Sequence, residues 1–230
     1  MRQLSSRTRV TLVALIVGAV IGCVVSVLMT PPDEKLGTMV RFVMFHGAST
    51  WVNLLTFTLA GAAGLAFALG SQGVRVWGEA FRWISLPLWV INSILGLLSM
   101  QLIWGGILWS EPRLGMTFGV LGGALAIFAV QLIFDAPRVT AALDSLLAGT
   151  VWTLVLVLPN LFHPDSPIFQ SGNWAFIVPF LGMVATIAIV ALSLAVLIAR
   201  RGSDEPGGIV FGVDPDAPAP VLVGAASFEK

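Results

Sequence analysis

The stretch WAFIVPFLGMVATIAIVALSLAVLIA, Trp174–Ala199, runs without one charged side chain. A helix crosses the hydrocarbon core of a bilayer with about 20 apolar residues, so this stretch reads as a membrane span. Five more runs of the same kind precede it: Val10–Met29, Thr50–Leu69, Trp83–Ile103, Leu114–Phe134 and Val139–Leu158. In hydrocarbon a segment must satisfy its own backbone hydrogen bonds, which a helix does internally. A β-barrel needs alternating segments of about ten residues, a pattern missing from this sequence. The expected fold is all-α, an integral membrane bundle of six transmembrane helices.

Composition agrees. The chain is 57% hydrophobic and 10% charged, with a mean hydropathy of +0.95. Soluble domains carry about 25% charged residues. A formal net charge of zero argues against a nucleic-acid partner. The single cysteine, Cys23, excludes an intramolecular disulfide and any CxxC motif.

Six spans place their connections on alternate sides. One side receives Arg2, Arg7, Arg9, Arg75, Arg82, Arg138, Arg200 and Arg201, and the other only Lys35, Arg41 and Arg113. Basic residues favour the cytoplasmic side, so both termini are expected in the cytoplasm. The outer segments are then 30–49, 104–113 and 159–173. Val20-Ile21-Gly22-Cys23, after three arginines, resembles a lipoprotein cleavage site, but the apolar run continues to Met29 as in an ordinary first span. Residues 1–201 form the transmembrane domain. Residues 202–230, rich in Pro, Gly and Asp, read as a flexible cytoplasmic tail.

The only two histidines, His46 and His163, fall in two of the three outer segments. Imidazole is the commonest side chain for holding a metal or haem iron. His46 could ligate iron while Phe45 or Trp51 packs on a porphyrin face; the alternative is an interfacial histidine at a helix start. The middle segment runs from Trp104-Gly105-Gly106 through Trp109 to Arg113. Its indoles offer broad apolar faces, its glycines let backbone approach a flat ligand, and Arg113 suits a carboxylate. A membrane aromatic belt around a tight turn is the competing reading. Pro164 disfavours helical geometry at His163, and Asp165 could orient its ring, or could simply form a turn with Ser166.

Other polar residues read structurally. Asp144 sits near the inner end of the fifth span, where Arg138 could pair with it. Asn53, Asn92, Gln101 and Gln131 suit interhelical hydrogen bonds, and Gly61, Gly64, Gly119, Gly122 and Gly123 suit close helix contacts. The sequence has no P-loop, HExxH motif or Ser-His-Asp arrangement, so a binding or transfer protein is expected rather than an enzyme.

The order and spacing over residues 10–200 resemble the cytochrome c assembly family of haem-handling membrane proteins, closest to its CcmC type. Trp104-Gly105 and Glu111-Pro112-Arg113 fall on that family's WGxxWxWDxR motif, His46 and Trp51 on HxPxxW, and Asn160 and His163 on an Asn-x-x-His stretch. The chain departs from these patterns at Ala48, Leu108, Ser110 and Glu111, and Trp109 stands one position off. The resemblance implies haem b held non-covalently between His46 and His163 as axial ligands. It implies Trp104, Trp109 and Trp51 as the aromatic platform and Arg113 as the propionate contact. It further implies the outer, periplasmic face of a prokaryotic inner membrane, transfer to a CcmE-type haem chaperone, and ATP-binding-cassette subunits on other chains. The rival readings are a permease subunit with no haem site of its own, and a small b-type electron carrier.

Overall fold

The computed structural model describes residues 5–134, 136–159, 161 and 167–202. Its helices are α1 (Ser6–Met29), α2 (Val40–Ala68), α3 (Arg75–Trp104), α4 (Pro112–Phe134), α5 (Pro137–Val157), the one-turn α6 (Pro167–Gln170) and α7 (Trp174–Gly202). Six of these, all but α6, are long and apolar enough to cross a membrane. Pro112 and Pro137 open α4 and α5, where a missing N–H costs nothing and a fixed φ suits the first turn. Gly105 ends α3 in the left-handed conformation, φ 73°, with its N–H on the Gln101 carbonyl.

Helix α2 is the centre of the bundle and packs against α3, α5 and α7. Helix α1 lies outside on α7, and α4 lies outside on α5 and α3. Three apolar clusters fill the bundle. One joins Val52 and Ala60 of α2 to Ile84 of α3 and Ala195 of α7, and a second joins Met44 and Ala48 to Met183 and Phe180. The third joins Phe57, Trp89, Met116, Val120 and Val151 from four helices. The exterior of α1 is apolar as well, with Val10, Val13, Val17, Val20 and Val24 exposed, which suits a helix long and apolar enough to cross a membrane.

Small residues bring α2 and α5 together. A Cβ on Gly61 would lie 2.5 Å from Ala148 Cβ, and one on Gly64 would lie 2.5 Å from the Ala141 carbonyl oxygen. Ser145 Oγ donates to the Gly61 carbonyl at 2.9 Å across this contact, and Trp152 Nε1 donates to Thr58 Oγ1 at 2.8 Å.

Several sequence expectations need correction. Helix α2 begins at Val40, not Thr50, because Arg41 is not a loop residue: its Nε donates to the Thr30 carbonyl at 2.8 Å, at the C-terminal end of α1. A cation suits the negative end of a helix dipole. Helix α3 begins at Arg75, not Trp83, because its first charges are absorbed within the bundle. Asp144 pairs with Arg82 of α3 rather than with its sequence neighbour Arg138, which is exposed. Gly119 and Gly122 meet no neighbour within 4 Å, whereas Gly123 packs on Leu147. Gln101 bonds within its own turn, to the Gly105 carbonyl. The expected tail lies outside the described residues, apart from Gly202 at the end of α7.

Candidate functional site

The expected ligand His46 sits six residues into α2, about 9 Å along its axis. It is half-buried and faces α3. The ring edge lies against Gly96, where a Cβ would come 3.3 Å from Cε1 and 3.5 Å from Nε2. Any residue other than glycine at position 96 would press a Cβ against that edge.

The turn carrying His46 is clamped to α3. Ser49 Oγ lies 2.8 Å and Thr50 Oγ1 3.0 Å from the His46 carbonyl oxygen. Both hydroxyls also reach Asn92 Oδ1, at 2.6 and 3.0 Å. Asn92 lies one turn before Gly96, so one stretch of α3 both holds the His46 turn and makes room for the ring. Asn92 is thus an interhelical partner, as expected, and Gly96 is the residue that the sequence did not single out. The signal was there: Asn92 and Gly96 share a helix face, and a mid-helix glycine beside an amide marks close approach.

Trp51 lies five residues on from His46, about 140° around α2. It faces α7, with ring centroids 5.8 Å from Phe169 and 6.2 Å from Phe180. The structure therefore does not bring Trp51 and the His46 ring edge together. Trp104 closes α3 and is 37% exposed, while Trp109 in the following loop is 73% exposed. Gly96 is two turns below Trp104, so the imidazole lies about 12 Å deeper than that indole along α3.

Glu111 is almost fully buried at the start of α4, and its Oε1 lies 3.4 Å from the Arg113 backbone N–H. It stands just before Pro112, where a carboxylate complements the positive end of the helix. Arg113 reaches across to α5, where Nη2 donates to the Val155 carbonyl at 3.3 Å. Its buried Nε has no acceptor among the described residues. His163, Asn160 and Asp165 lie outside the described residues. Among the described residues, no group of three His, Cys, Asp or Glu side chains is gathered to hold a metal ion.

A second polar cluster lies at the opposite end of the bundle. Arg82 Nε donates to Asp144 Oδ2 at 2.8 Å and to Oδ1 at 3.0 Å, and Nη2 reaches Oδ2 at 2.8 Å. Nη1 donates to Gln131 Oε1, so one guanidinium ties α3 to both α5 and α4. One turn away, buried Glu79 accepts from Arg75 Nε at 2.8 Å. The signal in sequence was the spacing of Arg75, Glu79 and Arg82, which puts all three on one face of α3.

The chain matches no protein-family model, and no curated protein matches it in sequence. Its geometry must speak for itself. At the His46 end it carries a half-buried imidazole against Gly96, two partly exposed indoles and the Arg113 guanidinium. Those are the donor types that a flat apolar macrocycle with an iron and two carboxylates needs.

Proposed function

We propose that this chain handles haem for cytochrome c maturation. It holds haem b non-covalently at the outer edge of a prokaryotic inner membrane and passes it to a CcmE-type haem chaperone. ATP-binding-cassette subunits on other chains drive release. The observation that carries the reading is the half-buried His46 edge over Gly96, at the bundle end that also bears Trp104, Trp109 and Arg113. The excess of arginines at the other end supports both termini in the cytoplasm, with the His46 end outermost.

In this reading His46 and His163 would hold a haem iron as neutral imidazoles. The chain's own residues do the rest. Asn92, Ser49 and Thr50 fix the His46 turn, and Gly96 puts no Cβ against the ring. Trp104 and Trp109 present apolar faces at the boundary, and the Trp51–Phe169–Phe180 cluster closes the far side of α2. Arg113 draws carboxylates to the end of α4. Non-covalent ligation at an open edge permits release, so the chain acts as a binding and transfer module rather than an enzyme.

The test is haem bound per chain after loading the detergent-purified protein. His46→Ala should lower it at least about tenfold, since it removes one of the two protein bonds to iron. Arg113→Ala should weaken retention, whereas Arg138→Ala, an exposed arginine at the opposite end, should not. Equal haem retention in all three variants would overturn the proposal.

A further inference from the structure

Charged side chains inside a membrane bundle face its interior or a water-filled space, because a charge taken out of water without compensation is costly. Arg75, Glu79 and Arg82 stand on successive turns of α3, and Asp144 meets them from α5. Two small cavities flank the Arg82–Asp144 pair, and their walls differ. One is bounded, beyond the pair itself, largely by apolar groups, among them Phe57, Leu86, Ile127 and Phe128. The other lies between α2, α3 and α5, where Gly64, Gly78 and Ala141 leave space and Arg75, Glu79, Arg82 and Asp144 supply charge.

This second cavity lies at the end of the bundle opposite His46. Phe67 near the end of α2, Arg75 at the start of α3 and Pro137 at the start of α5 all border it. Arg75 is the outermost of its charged groups. Its Nε donates to Glu79 Oε1 at 2.8 Å, its Cζ lies 5.9 Å from the centre of the Phe67 ring, and its side chain is 30% exposed. The side chains of Glu79, Arg82 and Asp144 are only 7%, 7% and 4% exposed.

The space takes about one water molecule. A buried water needs about two to four polar partners, and this wall supplies them. Arg75 engages one carboxylate oxygen of Glu79, and both oxygens of a carboxylate accept. The Arg82 guanidinium carries more N–H groups than its contacts to Asp144 and Gln131 engage. The two arginines and two carboxylates cancel in charge, so the wall suits a neutral occupant rather than an ion.

We infer that this cavity is a binding site for a single water, held by Glu79, Arg82 and Asp144 beneath Arg75, and that solvent from that end of the bundle reaches the Arg82–Asp144 pair and stops there. The pair and the apolar cavity behind it close the path. The water adds hydrogen bonds to charges that are otherwise buried against one another. Arg75, the one of the four that reaches the surface, sets how readily this water exchanges. The inference does not depend on haem.

The test uses the full chain in lipid nanodiscs, labelled with 13C and 15N, and follows polarisation transfer from water to guanidinium nitrogens by solid-state NMR. The Arg82 signal is identified by its contact with the Asp144 carboxyl carbon. Exposed Arg138 is the wet reference, and the buried Trp89 indole N–H, bonded to the Thr117 carbonyl, is the dry one. Arg82 should take up water polarisation at a rate closer to Arg138 than to Trp89. Gly78→Ala sets a methyl 3.5 Å from Ala63 Cβ, an ordinary contact, and narrows this cavity but not the apolar one. It should cut transfer to Arg82 by about threefold or more. An Arg82 guanidinium as dry as the Trp89 indole would overturn the inference. Unchanged transfer in Gly78→Ala would overturn it too, since the water would then lie elsewhere.

Discussion

The His46 imidazole and Gly96 share one space: a methyl group added to Gly96 would sit 3.3 Å from Cε1 of the ring. The ring position is therefore set by what α3 lacks. Gly96→Ala should be nearly neutral in thermal unfolding, because helix propensity gained offsets the crowding. Gly96→Val should destabilise by about 1–3 kcal/mol, as its branched methyls have no room. Thermal unfolding in detergent checks both, and a Val variant as stable as wild type would show that the ring moves freely.

The buried Arg82–Asp144 pair joins α3 to α5. Removing one partner leaves an uncompensated charge, so Arg82→Leu or Asp144→Leu alone should cost about 3–5 kcal/mol. The double variant should recover most of that loss. A denaturation series over the four proteins gives the coupling, and simple additivity would refute the pairing.

Close approach of α2 and α5 rests on Gly61 and Gly64. Gly64→Ala places a Cβ 2.5 Å from the Ala141 carbonyl oxygen, so the helices must part. A loss of about 1–3 kcal/mol is expected from this overpacking. Gly119→Ala, with no neighbour within 4 Å, should instead stabilise by up to about 1 kcal/mol. The same unfolding measurement separates the two.

Asp33 orders the connection between α1 and α2. Its Oδ1 accepts from the Leu36 N–H at 2.9 Å and the Lys35 N–H at 2.8 Å, and these bonds hold its pKa below the usual 3.8. The carboxylate's contribution is fully present above the usual value and is lost as pH falls through the lowered one. Amide exchange at Leu36 should stay slow at pH 5 and accelerate only at strongly acid pH. Acceleration already between pH 6 and 5 would contradict the assignment.

Hydropathy located all six long helices, because an apolar run of span length has few other uses. It misplaced the starts of α2 and α3 for one physical reason. Arg41, Arg75, Glu79 and Arg82 interrupt the apolar pattern, yet each is accommodated inside a helix by a carbonyl or an opposite charge. Asp144 was matched with Arg138 by proximity in sequence, while the fold pairs it across helices with Arg82. The sequence offers His46, Trp104, Trp109 and Arg113 by residue type, and the structure places them toward one end of the bundle. The seat of His46 was not legible there, since Gly96 and Asn92 matter only through the register of α2 on α3.

The most direct measurement is the absorption spectrum of the detergent-purified, haem-loaded chain, oxidised and then reduced, beside that of the His46→Ala/His163→Ala double variant. The account expects a low-spin spectrum of two imidazoles on iron in the wild type, and loss of the Soret band in the double variant. A wild type that takes up no haem, or a double variant with an unchanged spectrum, would contradict it.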